Sequence, residues 1–128
     1  MADMEKITIN MSVVDLGQVD LLVDEGFYSN RTDFIRTAIR NQINVHADVV
    51  KQTVTRKTLV IGAVIYTSQD LSRLQAAGTQ VEINVVGLLH LGSDISPELA
   101  RATIKSIQVF GVFRASDELK KALADRTK

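Results

Sequence analysis

The stretch Glu5–Met11, EKITINM, alternates polar and apolar residues without a break. In a strand, Ile7, Ile9 and Met11 point to one side and Lys6, Thr8 and Asn10 to the other. A strand this short is not stable alone in water, so it needs a partner. The residues that follow it read as helices, and no second strand lies nearby. Which strand pairs with EKITINM decides the fold.

Ser12 is placed to cap a helix over Val13–Glu25, with Leu16, Val19, Leu22 and Val23 on one face and Asp15, Asp20 and Asp24 largely off it. Gly26 then supplies the left-handed residue that ends helices. In YSNRTDFIRTAIRNQI, Ser29 is the expected cap of a second helix. Its apolar stripe is Phe34, Ile35, Ala38, Ile39 and Ile43. Arg36 and Arg40 fall one turn apart on another face, where solvation is the plain role.

Strand, helix, glycine turn and helix, in that order over residues 4–44, resemble the ribbon-helix-helix family of DNA-binding proteins, the CopG, MetJ and Arc type. The resemblance implies an obligate dimer. The strands of two chains pair antiparallel into a ribbon, and Ile7, Ile9, Met11, Phe34, Ile35 and Ile39 fill a shared core. It also implies double-stranded DNA as partner. Two copies of Lys6, Thr8 and Asn10 would enter the major groove, where Lys suits guanine, Asn suits adenine and Thr offers a hydroxyl and a methyl. The amides around Ser29, Asn30 and Arg31 would hold phosphate at a positive helix end. The first helix departs from this scheme by being acidic. Facing DNA, it would leave affinity modest and strongly salt-dependent.

Charge alone does not point to DNA. The 128-residue chain has zero net charge, with 6 basic against 8 acidic residues in 1–56 and 9 against 7 in 57–128. Its 45% apolar content is that of a folded protein. No apolar run is long enough to span a membrane, and no signal-peptide pattern opens the chain. The absence of cysteine removes disulfides and thiolate metal sites and fits a cytoplasmic protein.

Between Phe27 and Ile61 there is neither Gly nor Pro, so the second helix is expected to run to about Gln52, with TVTRK (53–57) as connector. Beyond it TLVIGAVI (58–65), INVVGLLH (83–90) and IQVFGVFR (107–114) align on Gly62, Gly87 and Gly111, 25 and 24 residues apart. Each is followed by Ser-x-acid-Leu. Ser68, Ser96 and Ser116 are read as helix caps, with an acid in the first turn and Leu71, Leu99 and Leu119 toward the core. Pro97 suits the first helical position. This period predicts a three-coil, right-handed β/α solenoid with a small parallel sheet, in which each glycine marks a close approach between coils. The expected architecture is thus α+β: residues 1–52 for dimerisation and DNA binding, and 58–128 for oligomerisation. Alternation leaves Ile61, Ile65, Val86, Leu88, Phe110 and Val112 on a second apolar face, which is expected to meet another subunit.

No catalytic constellation is present. His46 and His90 sit in different halves, so neither a metal nor another cofactor is expected, and no small-molecule site is evident. The single glycines lie in strands and do not form a phosphate-cradling loop. The leading expectation is a sequence-specific transcriptional repressor. The competing ones are a polymer-forming solenoid that uses its N-terminal module only to dimerise, and a partition or antitoxin protein. A folded tail argues against the antitoxin.

Overall fold

A computed structural model describes residues 4–128. It divides into two compact units, residues 6–52 and residues 53–128, the latter together with Met4 and Glu5.

The first unit holds helices α1 (Val13–Asp24) and α2 (Arg31–Val45) and the start of α3 (Ala47–Arg56). Ser12 caps α1 as expected, its Oγ accepting from the Asp15 amide at 3.1 Å. Gly26, at φ +86°, ends it: its N–H donates to the Val23 carbonyl and that of Phe27 to Leu22, each at 3.0 Å. Val19 is buried, and Leu16, Leu22 and Val23 are half-buried beside it. Tyr28 and Phe34 meet edge to face, centroids 5.0 Å apart.

Two expectations here are corrected. The cap of α2 is Asn30 and not Ser29. The Asn30 side chain accepts from the Asp33 amide at 2.8 Å, and the Asp33 carboxylate accepts from the Ser29 amide at 2.9 Å. Asp33 lies three residues after Asn30, and that spacing selects the cap. Nor does α2 run unbroken to Gln52. It ends at Val45, where the His46 amide turns to the carbonyl of Ile43, and a new helix carries on to Arg56. Asn44 and β-branched Val45 are poor helix formers at that point, and residues 53–56, expected as connector, are helical.

In the second unit the repeat becomes β1 (Val60–Tyr66), α4 (Ser68–Ala76), β2 (Val81–Leu91), α5 (Pro97–Thr103), β3 (Ile104–Arg114) and α6 (Asp117–Ala122), followed by a short 3₁₀ turn, Ala124–Arg126. The strands form a parallel sheet in the order β1-β2-β3, so this part is mixed α/β. Gly62, Gly87 and Gly111 stand in register across it. A Cβ on Gly87 would fall on the carbonyl oxygen of Gly62, and one on Gly111 on that of Gly87.

The helices cover one face of the sheet. Leu71 and Leu119 are buried there against Ile83, Val85, Leu89 and Ile107, with Leu99 packed alongside. Ser96 and Ser116 cap α5 and α6, with Pro97 in the first turn. Ser68 does not cap α4: Thr67 does, in a reciprocal box with Asp70. Asp70 stands three residues after Thr67, whereas Glu98 and Glu118 stand only two after their serines and cannot close such a box. Ser68 instead donates through its hydroxyl to Asp94 at 2.8 Å.

Candidate nucleic-acid interface

Residues 4–12 lead into α1 without regular secondary structure in the isolated chain, and no strand among the described residues pairs with them. Lys6, Thr8 and Asn10 are exposed. So are Ile7 (73%) and Ile9 (58%), while Met11 is half-buried. Both sides of the alternating stretch therefore face solvent, including the side that is apolar. On α2, Phe34 and Ile35 are half-buried, but Ile39 and Ile43 are exposed. Leu21 of α1 is exposed as well. This unit carries more exposed aliphatic surface than a solvent-facing helix pair needs.

At the start of α2 the amides of Ser29 and Asp33 are satisfied within the cap. The N–H groups of Arg31 and Thr32 have no acceptor among the described residues. Ser29, Asn30, Thr32, Asp33, Arg36 and Arg40 line one shallow concavity in front of them. Free amides at a helix N-terminus, with two guanidinium groups at the rim, are the donors and the field that favour an anion.

Arg31 does not line it. Its guanidinium binds the Asp20 carboxylate of α1 through two 2.8 Å bonds. That hydrogen-bonded partnership holds the Asp20 carboxyl below its ordinary range and raises the Arg31 guanidinium. Arg36 and Arg40, read from sequence as merely solvated, are the cations beside Asn30 and Thr32. A signal for this was present: Thr32, Arg36 and Arg40 are spaced by four, which places all three on one helix face.

In the second unit the uncovered sheet face carries the apolar set read from sequence. Ile61, Ile65 and Phe110 are exposed, and Val86, Leu88 and Val112 are half-buried. Met4 and Glu5 lie over part of this face, with Glu5 3.5 Å from Arg114, and the Lys57 ammonium sits 5.9 Å from the Phe110 ring centre. Among the described residues no group of three or more His, Asp or Glu side chains gathers as a metal site. No helix among the described residues is long and apolar enough to cross a membrane.

Residues 2–120 match the model of a ribbon-helix-helix transcriptional regulator family. The chain is also 33% identical over 45 residues to the transcriptional regulator CdrS of Halobacterium salinarum, a stretch that spans 35% of this chain and 82% of that protein. No solved structure matches it.

Proposed function

The chain belongs to the ribbon-helix-helix transcriptional regulator family, and on that premise we propose that it is a sequence-specific, cytoplasmic repressor that inserts a dimeric β-ribbon into the DNA major groove. The exposure of Ile7 and Ile9 carries this reading. An alternating strand with its apolar side in water is incomplete, and a second copy laid antiparallel along it supplies both the backbone partners and the cover. Ile39 and Ile43 of α2 extend the surface that such a dimer removes from water.

With Ile7, Ile9 and Met11 turned into the shared core, Lys6, Thr8 and Asn10 of both copies stand on the outer face of the ribbon. Their donors and acceptors match base edges in the major groove, which is wide enough for two strands. The concavity at the start of α2 positions the complex by holding a phosphate, with the Thr32 amide at its floor and Arg36 and Arg40 beside it. Residues 58–128 then act as an oligomerisation domain. Their repeats stack as coils of a short solenoid, and the face bearing Ile61, Ile65, Val86, Leu88, Phe110 and Val112 is where copies meet.

Selection of bound sites from random double-stranded DNA, followed by gel shifts at low and moderate salt, tests the reading. A recovered motif with two related half-sites is the expected result. Failure to enrich any sequence would leave a structural, polymer-forming role for the repeats.

A further inference from the structure

The two edges of the parallel sheet are not alike. The outer edge of β3 is sealed at its start by the C-terminal tail. Thr127 bridges Ile107 in parallel, and the Lys128 amide donates to the Ile107 carbonyl at 2.8 Å. Arg126 fixes that tail by donating to the carbonyls of Arg101 and Ile104 at 2.9 and 3.0 Å. At the other edge, β1 reads VIGAVIY, with no charge and no proline. Val60, Ile61 and Ile65 are all more than half exposed. Natural sheets blunt their edges with charges, prolines, bulges or covering segments, and β1 has none of these in its own sequence. Its outward amides and carbonyls find no backbone partner among the described residues.

What completes a bare edge is another strand, and the register limits which one. Laid on β3 in glycine register, β1 of a second copy would bring its Thr58 to Ile107, the place that Thr127 holds. The tail therefore occupies the place that Thr58, two residues before β1, would take in a head-to-tail pairing, while Val109–Arg114 beyond it stay uncovered. A two-fold arrangement meets no such obstacle and closes on itself.

We infer that β1 pairs antiparallel with β1 of a second copy, joining two three-stranded sheets into one of six strands. This rests on the reading of residues 58–128 as an association domain, and it adds an edge contact to the face proposed above. The longest ladder for Val60–Tyr66 centres on Ala63. Ile61 then faces Ile65 of the partner subunit, and Val60 faces Tyr66 of the partner subunit, aliphatic and aromatic pairs of the kind that stabilise antiparallel ladders. Gly62 faces Val64 of the partner subunit, and the space beside Gly62, where a Cβ would meet nothing within 4 Å, is filled.

The native chain has no cysteine, so single-cysteine variants of the full-length protein report the contact cleanly. Ile61→Cys, Ala63→Cys and Ile65→Cys, with Gln108→Cys on β3 as control, are oxidised mildly and resolved on non-reducing gels. Circular-dichroism melts establish that each is folded. Ala63→Cys is expected to give a disulfide dimer at least about ten-fold faster than the other three, because only the residue on the two-fold axis meets its own copy. A product from Ala63→Cys no faster than from Gln108→Cys overturns the pairing. So does one that forms only when Ala63→Cys and Val112→Cys chains are mixed, which reports head-to-tail contact. Sedimentation of the wild-type chain separates this from the wider reading. Association beyond the ribbon dimer without the Ala63→Cys product keeps an association domain and removes the edge pair. Absence of such association together with absence of the product removes both.

Discussion

Arg31, the first residue of α2, grips Asp20 of α1 through two bonds, Nε to Oδ1 and a terminal N–H to Oδ2, each 2.8 Å. The contact joins the two helices on either side of the Gly26 turn, and it draws a cation away from the helix end proposed to hold phosphate. Asp20→Asn removes the charge that holds it. Non-specific DNA affinity is expected to rise at low salt, and the slope of log K against log salt to steepen by about 0.9 as the released guanidinium takes a phosphate. Fluorescence anisotropy across a salt series measures both. An unchanged slope would show that Arg31 does not reach DNA.

The same pair sets a pH dependence. The bond from Arg31 depresses the Asp20 carboxyl, those from the Thr67 amide and hydroxyl depress Asp70, and that from Arg126 depresses Asp125. A carboxylate whose folded value lies below its unfolded one contributes stability above the unfolded value, about 3.9 for Asp, and loses it as pH falls through the folded value. Melting temperature is therefore expected to fall with acidification below about pH 4. Replacing Asp20 and Asp70 by Asn should flatten that limb while leaving the neutral-pH limb's shape alone. A double variant with the wild-type acid limb would assign the acid loss to other carboxylates.

Lys6→Ala, Thr8→Ala and Asn10→Ala should each weaken binding to a selected operator by about 1–3 kcal/mol and leave the melting curve in place. All three are exposed in the isolated chain, so truncation removes no packing there. Ile9→Lys, by contrast, would place a charge in the proposed shared core and should abolish the dimer. Wild-type affinity in all three alanine variants would remove base reading from the ribbon.

Thr58 is the one non-glycine among the described residues with positive φ, at +54°. It ends α3 as Gly26 ends α1 and Gly78 ends α4: its N–H donates to Thr55 and that of Leu59 to Val54. A β-branched residue is strained in this left-handed position, and glycine is not. Thr58→Gly is expected to stabilise the protein by roughly 0.5–1 kcal/mol, the relief of strain exceeding the entropy glycine adds to the unfolded chain. Urea denaturation reads the difference directly, and a loss of stability would refute it.

Much of this architecture was legible because local chemistry repeats. The three glycines and the Ser-x-acid-Leu runs announced strand and helix in order, and Gly26 announced the end of α1. The misreadings were misplacements of a cap by one residue and of a helix end by about two turns, and the two caps were decided by contacts that propensity does not weigh. Asp33 selects Asn30 over Ser29, Asp70 selects Thr67 over Ser68, and α2 stops early at the weak helix formers Asn44 and Val45. The Arg31 side chain's turn toward α1, which leaves Arg36 and Arg40 at the rim, was hidden for a different reason. A single helix read in isolation does not show that Asp20, eleven positions back, lies within reach of Arg31.

The glycine row offers the sharpest mutational contrast. Gly62, Gly87 and Gly111 share a backbone that only glycine adopts without strain, with φ of +135°, +135° and +125°. Alanine at any of them carries that strain, about 1–3 kcal/mol. Their surroundings differ. At Gly87 the new Cβ meets the carbonyl of Gly62, and at Gly111 that of Gly87, whereas at Gly62 it meets nothing. Backbone in the middle of a parallel sheet cannot retreat without breaking the ladder on its other side. Within a single chain, Gly87→Ala and Gly111→Ala therefore carry an added overpacking cost of about 1–3 kcal/mol, and Gly62→Ala does not. Gly87 is flanked by strands on both sides, so its variant should be the least stable of the three. Denaturant midpoints of the three alanine variants test the order. Equal losses at all three positions would mean that backbone conformation alone, and not the neighbouring carbonyl, requires glycine in this row.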